Sequence, residues 1–249
     1  MAGPVPHAVV VGGTRGLGRV VVERFLARGY AVSVVSRRAP ALSDLGPGLR
    51  HAVADLETLE SAQDLVRRVV ELAGPVRYIV FCQRYRGEGD PWRGELQVGL
   101  TATKLLIEGF VDHFEDVPDR AIGVVSSVYA DFVGSSQPVG YHVVKAGLNQ
   151  MVRYYAWEMG RRGVRVNAIM PLSYIKPESR DFYLSKPDLL QLYDRFVPLR
   201  RMGNAEDSAN LLDFLCSDKA AFINGQCIFV DGGVSVVWQE ELAKKMGAV

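Results

Sequence analysis

The sequence lacks the features that mark membrane proteins and nucleic-acid-binding proteins. No apolar segment approaches the ~20 residues that a membrane helix needs, because charged residues interrupt every candidate. The chain of 249 residues has a formal net charge of only +1, and no run of basic residues is longer than two. We therefore expect no membrane and no nucleic acid as a partner, and a small molecule as the substrate.

Cysteine is scarce, and its three residues lie far apart at Cys82, Cys216 and Cys227. They form no Cys-x-x-Cys pair and have no histidine nearby, which excludes the usual spacings of zinc sites and disulfide frameworks. The N-terminal apolar stretch at 8–11 has neither a basic leader nor a cleavage site, so we predict no signal peptide. These absences predict a cytoplasmic protein without a metal site.

What the chain does have is a regular alternation of apolar runs and helical patterns. With 48% hydrophobic and 23% charged residues, its composition is that of one globular domain over 1–249. Short runs rich in Val and Ile alternate with segments of helical spacing, which predicts repeated βαβ units. The predicted fold is α/β: a Rossmann-like, doubly wound parallel sheet of about seven strands, with helices on both faces.

The predicted elements follow this alternation along the chain. The predicted strands are 7–11, 31–36, 51–53, 78–82, 121–126, 164–169 and 226–230. The predicted helices are 18–28, 59–73, 94–114, 140–162 and 205–217. Residues 172–198 show no clear periodicity, and we predict a substrate-binding loop region there, because connections of this length are usually functional.

A glycine-rich turn with the spacing Gly-x3-Gly-x-Gly follows the first predicted strand. Glycine lets the backbone turn sharply and approach a pyrophosphate closely, while the start of the next helix offers free N–H groups to the phosphates. The turn therefore predicts a dinucleotide site. Its residues are Gly12, Thr14, Arg15, Gly16, Leu17 and Gly18.

The end of the second predicted strand indicates which dinucleotide is bound. Ser36 is followed by Arg37 and Arg38, with no carboxylate to bond the ribose 2′-hydroxyl of NAD. These arginines suit the 2′-phosphate of NADP, or they are a solvated strand end. We predict NADP(H), with NAD(H) less favoured. Asp55, followed by Leu56, stands where an adenine contact is expected, and it serves equally well as an N-cap of the next helix.

Tyr141 and Lys145 lie four residues apart in a predicted helix, which places both side chains on one face. A free tyrosine has a pKa near ~10, and a neighbouring cation stabilises the phenolate and brings it into working range. Ser126 and Ser127 end the preceding predicted strand, where a hydroxyl is placed to bond a substrate oxygen. This set predicts proton transfer at a carbonyl or alcohol oxygen.

Together these motifs resemble the short-chain dehydrogenase/reductase family across almost the full chain. Further matching segments lie at 165–171, 198–203, 224–226 and 230–233. The resemblance implies an NADPH-dependent ketoreductase or alcohol dehydrogenase that transfers a hydride between the nicotinamide and a carbonyl or alcohol carbon. It also implies a homodimer or homotetramer in which the helices at 94–114 and 140–162 pair between subunits.

The resemblance also implies a role for individual residues. Tyr141 is expected as the general acid/base, and Lys145 as the group that lowers its pKa and binds the nicotinamide ribose. Ser127, rather than Ser126, is expected to orient the substrate. The remaining expected cofactor contacts are Cys82, Gln83 and Pro171.

The sequence departs from the family pattern near the expected nicotinamide. Residues 81–84 are Phe-Cys-Gln-Arg instead of Asn-Asn-Ala-Gly. Gly99 stands where the family has an asparagine that holds a water of the proton relay, and the first asparagine of the chain is Asn149. Leu172 and Lys176 replace a glycine and a threonine. Either the relay is built differently here or turnover is slow.

Basic residues accompany these departures. Arg84, Arg86, Lys176 and Arg180 all fall in segments that are expected to border the cleft beside the nicotinamide. One hypothesis is a substrate with an anionic group, such as a nucleotide sugar or a carrier-linked acyl chain, from sugar, polyketide or other secondary metabolism. The alternative is that these are solvated loop charges.

Two other functions share these motifs. A sugar epimerase or dehydratase has the same turn and Tyr/Lys pair, but carries an added C-terminal substrate region, for which 234–249 is too short. The missing asparagine and the altered 81–84 segment favour a silent NADP-binding sensor or scaffold, whereas the retained Ser127, Tyr141 and Lys145 oppose it. We therefore expect the reductase. The apolar cluster at 236–238 is left as either core or interface.

Overall fold

The structure, a computed structural model, describes residues 5–39 and 46–248. Its strands are β1 (His7–Val11), β2 (Ala31–Ser36), β3 (Leu49–Val53), β4 (Tyr78–Phe81), β5 (Arg120–Val125), β6 (Val164–Pro171), β7 (Tyr174–Ile175), β8 (Gly203–Asn204) and β9 (Cys227–Val230). Its α-helices are α1 (Gly16–Ala27), α2 (Gln63–Ala73), α3 (Pro91–Glu95), α4 (Ala102–Phe110), α5 (Val139–Gly160), α6 (Arg180–Leu184), α7 (Pro187–Phe196), α8 (Ala205–Leu215) and α9 (Gln239–Ala243). Short 3₁₀ turns span Val128–Ala130, Pro177–Ser179, Asp218–Ala220 and Val234–Val236, and π-helical turns span Leu96–Thr101 and Lys244–Ala248.

Seven strands form one parallel sheet in the order β3-β2-β1-β4-β5-β6-β9, and β7 pairs separately with β8. Because all seven strands run in the same direction, their carboxyl ends share one edge of the sheet. The order reverses direction between β1 and β4, and a reversal of this kind opens a crevice at that edge. The predicted doubly wound, seven-stranded fold is confirmed.

Helices cover both faces of the sheet, as predicted. Side chains alternate between the two faces along a strand, so Val9 belongs to one apolar core and Val10 to the other. Residues of α2, α4 and α5 fill the first core, among them Leu65, Leu106 and Val152. Residues of α1 and α8 fill the second. The sheet is therefore shielded from water on both sides, and only its edge at the strand ends is open.

Two of the family-like segments hold the sheet together at β6 and β9. Asn167 Nδ2 donates to the Ile223 carbonyl at 2.8 Å, and Asn167 Oδ1 accepts from the Gln226 N–H at 3.0 Å. The Val166 N–H donates to Asn224 Oδ1 at 2.8 Å. Asn167 thus satisfies backbone groups of the turn before β9 and Asn224 satisfies one of β6, which explains why both segments contain asparagine.

The main correction concerns residues 172–198, which are largely helical rather than an irregular loop. They contain β7, α6 and α7, and Pro187 opens α7 at a position that tolerates proline. Leu189, Leu190 and Tyr193 give α7 an apolar side that packs in a small separate core with Val197 and Met202. The helical spacing was missed because the run is short and broken by charged residues.

Smaller corrections concern element ends and the C-terminal cluster. The helix predicted at 59–73 begins at Gln63, and the one predicted at 94–114 begins at Pro91 and ends at Phe110. Val236 is 85% and Trp238 66% exposed, so neither is core. Within the described parts of the chain, no helix has the length and apolar character that crossing a membrane requires.

Candidate active site

A cavity of about 1090 Å³ lies at the carboxyl ends of the strands, where the strand order reverses. All the residues predicted for catalysis and for cofactor binding line it. They are Gly12, Thr14, Arg15, Gly16, Leu17, Gly18, Ser36, Arg37, Arg38, Asp55, Leu56, Cys82, Gln83, Ser127, Tyr141, Lys145 and Pro171. The structure thus brings together residues from separate segments along most of the chain.

The glycine-rich turn has a shape that only glycine permits. Gly12 has φ +80°, and a Cβ there would lie 2.8 Å from backbone atoms of Gln83. A Cβ at Gly18 would lie 2.3 Å from the Gly12 carbonyl oxygen. The first turn of α1 holds no acidic residue and Arg15 makes no side-chain cap, so no side chain of the turn itself satisfies the backbone N–H groups that would bind phosphates. The turn therefore fits a dinucleotide pyrophosphate.

One carboxylate already contacts this turn. The Gly16 N–H, at the start of α1, donates to Glu178 Oε2 at 3.2 Å, and Lys176 lies beside it. A carboxylate at a helix N-terminus is bound by the same groups that would bind a phosphate. Glu178 was not predicted as a site residue, since it lies far from Gly16 along the chain and belongs to no motif.

At the end of β2, an acidic partner accompanies the arginines. Arg37 Nη1 donates to Glu57 Oε1 at 2.8 Å, and both groups line the cavity with Arg38. Asp55 does not cap α2, which begins at Gln63; its Oδ1 accepts from the Glu57 N–H at 3.0 Å instead. The N-cap interpretation of Asp55 is therefore wrong. Glu57 is a second residue that sequence reasoning missed.

The reacting end of the cavity is built around α5. Lys145 Nζ donates to the Val125 carbonyl at 2.8 Å and lies 5.4 Å from the centre of the Tyr141 ring, as their spacing predicts. The Ser126 hydroxyl donates to the Lys145 carbonyl at 3.2 Å. Ser127 Oγ instead accepts from the Tyr129 N–H, and its own proton is directed toward the Tyr141 oxygen, where a substrate oxygen is expected. Ser127 is thus better placed than Ser126 to donate to a substrate.

Burial controls the pKa values of the Tyr141/Lys145 pair. Loss of hydration lowers the pKa of Lys145 to about 8, against a partial opposing effect of the Glu95 carboxylate. Burial also raises the pKa of Tyr141, so the phenol keeps its proton at neutral pH. The largest opposing effects on the Tyr141 pKa are its hydrogen bond with Ser127 and the charge of Arg84. The family resemblance implies instead that Lys145 is the residue that lowers the Tyr141 pKa.

Arg84 is fixed against the tyrosine. Its Cζ lies 4.5 Å from the centre of the Tyr141 ring, a cation–π contact, and Nη2 donates to Gln137 Oε1. Arg84 Nε lies 3.9 Å from Oε1 of Glu95, which is only 4% exposed. Burial raises the pKa of Glu95, and Arg84 is the cation that most opposes that rise. Arg84, at which the sequence departs from the family pattern, therefore places a second cation, besides Lys145, against the Tyr141 ring.

Gly99 does not line the cavity. It lies in the π-helical turn between α3 and α4, and its carbonyl accepts from the Thr103 hydroxyl at 2.7 Å. A Cβ at this position would lie 2.3 Å from Val144 Cγ1, so an asparagine side chain fits here only if the Val144 side chain moves. In this chain Gly99 allows close packing of the two helices.

Comparison with known proteins assigns the family. The family model described as enoyl-(acyl carrier protein) reductase matches residues 11–235. The chain is 29% identical to 2,3-dihydroxy-2,3-dihydro-p-cumate dehydrogenase of Pseudomonas putida, over 92% of this chain and 94% of that protein. It is 28% identical to a 3-oxoacyl-(acyl-carrier-protein) reductase of Aquifex aeolicus, over 91% and 96% of the two chains.

Solved structures agree with this assignment. The TT0495 protein of Thermus thermophilus is 28% identical, with a TM-score of 0.80 over 93% of this chain and 99% of that one. A putative short-chain alcohol dehydrogenase of Sinorhizobium meliloti 1021 is 25% identical, with a TM-score of 0.80 over 94% and 98%. The chain therefore belongs to the short-chain dehydrogenase/reductase family of oxidoreductases, which act on alcohol- and ketone-type substrates with a nicotinamide cofactor.

Proposed function

We propose that this protein is an NADPH-dependent ketoreductase or alcohol dehydrogenase in which Tyr141 is the general acid/base. The observation that carries the proposal is the shared cavity, in which the Ser127, Tyr141 and Lys145 side chains lie in the same space as the glycine-rich turn. A dinucleotide held by that turn would extend into the space that Tyr141 and Lys145 also line. The nicotinamide, when bound, supplies or accepts the hydride.

The protein's own groups account for the proton. In the direction of reduction, Ser127 donates a hydrogen bond to the carbonyl oxygen, and Tyr141 transfers its proton to that oxygen as the C–H bond forms. The raised Tyr141 pKa keeps the phenol protonated for this step. The phenolate that remains lies near two cations, Arg84 and Lys145, and takes a proton from solvent before the next turnover.

The choice of NADP(H) over NAD(H) rests on the end of β2. Arg15, Arg37 and Arg38 line the cavity there, and guanidinium groups bind a phosphate with paired hydrogen bonds. Because Glu57 holds Arg37, a 2′-phosphate has to compete with that carboxylate or bind beside it. Asp55 and Leu56 line the same end of the cavity, where we place the adenine.

We also propose that 172–198 is the substrate-binding region and that the protein assembles as a homodimer or homotetramer. Leu172, Tyr174 and Tyr183 of this region line the cavity. On α5, Tyr154 is 58% and Trp157 66% exposed, and burial of such aromatic rings favours association.

A cytoplasmic location fits the three cysteines, none of which is in a disulfide among the described residues.

A titration followed by a turnover assay tests the function. NADPH and NADH are titrated into the protein by fluorescence, and NADPH oxidation is then followed with a panel of ketones and keto-sugars. We expect tighter binding of NADPH and turnover that falls by about 10²-fold or more in Tyr141→Phe, with NADPH affinity unchanged. Failure to bind either nucleotide contradicts the proposal, and tight binding without turnover favours an NADP-binding sensor.

A further inference from the structure

Three cations line the cavity that contains Tyr141. Arg84 and Arg86 follow β4, Lys176 follows β7, and all three line the cavity together with Tyr141. Arg180, which the sequence grouped with them, does not line it. The structure therefore places three of the four basic residues in the cavity that contains Tyr141, although Arg86 and Lys176 lie far apart along the chain.

Two carboxylates lie near these cations: Glu95 near Arg84, and Glu178 near Lys176 beside Gly16. Within the described residues, Arg84 forms the only ion pair of the three, and its partner Glu95 lies 3.9 Å away. Burial lowers the pKa of Lys176 most, the charges of Arg86 and Arg84 lower it further, and the Glu178 carboxylate partly opposes them. Cations at such range repel each other, and an anion placed among them removes that repulsion.

Arg84 is held in place with donors to spare. Its contacts with the Tyr141 ring, Gln137 and the buried Glu95 fix the guanidinium. A guanidinium has five N–H donors, and Gln137 is the one hydrogen-bond acceptor that Arg84 has among the described residues. A fixed guanidinium with unused donors is suited to paired hydrogen bonds with an oxyanion.

Lys176 and Arg84 lie at different ends of the cavity. Lys176 lies beside Gly16, where its Cδ is 3.6 Å from the position of an added Cβ, so it adjoins the pyrophosphate end. Arg84 lies instead on the Tyr141 ring, where the substrate reacts. The cavity wall also includes apolar and aromatic side chains, namely Tyr129, Phe132, Tyr183, Val237 and Leu242, and the Tyr129 ring centre lies 6.2 Å from that of Tyr141.

We propose that Arg84 and Arg86 form a binding site for a carboxylate or phosphate group on the substrate, which is a ketone or alcohol with an apolar body. This inference rests on the proposed function, because it takes the Tyr141 end of the cavity as the reacting end. Arg84 then holds the oxyanion within a few ångströms of the phenol, and the apolar wall receives the rest of the molecule.

Matched aryl ketones test this site. Acetophenone is compared with 4-acetylbenzoate and 4-acetylphenyl phosphate, and methyl 4-acetylbenzoate serves as the uncharged match in size. Binding of each compound to the protein saturated with NADP⁺ is measured by calorimetry, and kcat/KM is measured with NADPH. The variants are Arg86→Gln and Arg84→Gln, with Arg93→Gln as the control, because the Arg93 side chain is 88% exposed and lies outside the cavity.

We expect one or both charged ketones to bind about tenfold more tightly than the methyl ester, the size of one charge-assisted hydrogen bond. The compound that binds better tells whether carboxylate or phosphate is preferred. Arg86→Gln abolishes most of that preference, and Arg93→Gln keeps it. Because Arg84 also contacts the Tyr141 ring, Arg84→Gln affects the reaction of every ketone. For that variant, the informative quantity is the ratio of kcat/KM, or of affinity, between the charged and the uncharged ketone.

Equal affinity for charged and uncharged ketones, or no measurable binding of either charged compound at millimolar concentration, overturns the proposal. So does an equal loss for both kinds of ketone in Arg86→Gln. The binding experiment needs no turnover, so it separates this site from the proposed function. A preference for the charged ketones without any NADPH oxidation supports the site and contradicts the reductase.

Discussion

The two ends of the cavity are built by different means. At the glycine-rich turn, backbone conformation makes the site: Gly12 and Gly18 are confined by backbone atoms that lie as close as 2.8 Å and 2.3 Å to an added Cβ. At the Tyr141 end, side chains from α5, from the segment after β4 and from the 3₁₀ turn at Val128–Ala130 make it. The first end tolerates little change, whereas the second is free to vary with the substrate.

The largest effect at the reacting end is expected from a serine pair. Ser127→Ala removes the proposed donor to the substrate oxygen, and we expect kcat to fall about 10²-fold, as for other donors of this kind. Ser126→Ala is the matched control: Ser126 bonds the Lys145 carbonyl, and we expect a fall of only a few-fold. Steady-state kinetics with NADPH measure kcat of both variants. An equal loss of kcat in the two contradicts the proposal that Ser127 donates to the substrate oxygen.

The next largest effect is expected at the glycine-rich turn, on the affinity for NADPH. Gly18→Ala brings a Cβ within 2.3 Å of the Gly12 carbonyl oxygen, and we expect NADPH affinity to fall by about tenfold or more. Gly203→Ala is the control, because the nearest atom to its Cβ lies at an ordinary 3.6 Å. Fluorescence titration gives the affinity, and thermal unfolding shows whether the variant folds. Unchanged NADPH affinity in a folded Gly18→Ala contradicts the proposed site.

Much of the difference between the two ends of the cavity can be predicted from the sequence. The features that cannot be predicted have a physical cause in common. The local patterns of strands, of the glycine turn and of the Tyr141/Lys145 pair depend on neighbours in the chain. The regular alternation of strands and helices then sufficed to predict a parallel sheet. The contact of Glu178 with Gly16 and the pair of Arg37 with Glu57 depend on long-range folding or on side-chain choice. No motif signals them.

The same limit applies to pKa values and to Gly99. Spacing placed Lys145 near Tyr141, but the degree of burial, which sets the direction of both pKa shifts, is a property of the packed cavity. The sequence showed that an asparagine was missing at Gly99. Only the packing against Val144 shows why one fits only if the Val144 side chain moves.

The pH dependence of reduction tests the Tyr141 end. The buried Lys145 has its pKa lowered to about 8, so it loses its charge above that pH, whereas the raised Tyr141 pKa keeps the phenol protonated there. We expect kcat/KM for reduction to be level from about pH 6 to 7 and to fall up to about tenfold per pH unit above about 8. Rates with NADPH across this range provide the check. A level profile up to about pH 10 contradicts a role for charged Lys145.

The smallest expected effect is at the boundary between the two ends. Glu178→Gln removes a negative charge from the Gly16 N–H, where the pyrophosphate is expected, so NADPH affinity should rise a few-fold. Glu206→Gln changes a surface carboxylate that pairs with Arg24 and serves as the control. NADPH titration at constant ionic strength measures both. Weaker binding in Glu178→Gln shows instead that this carboxylate assists the cofactor.

Isotope transfer tests the central claim, that one cavity joins a nicotinamide site to the Tyr141 proton donor. A single turnover is run with NADPH that carries deuterium at the transferred position, and the alcohol product is analysed by mass spectrometry. The account predicts one deuterium on the carbinol carbon with the native protein, and a rate lower by about 10²-fold or more in Tyr141→Phe. Product without deuterium, or an unchanged rate in Tyr141→Phe, contradicts it.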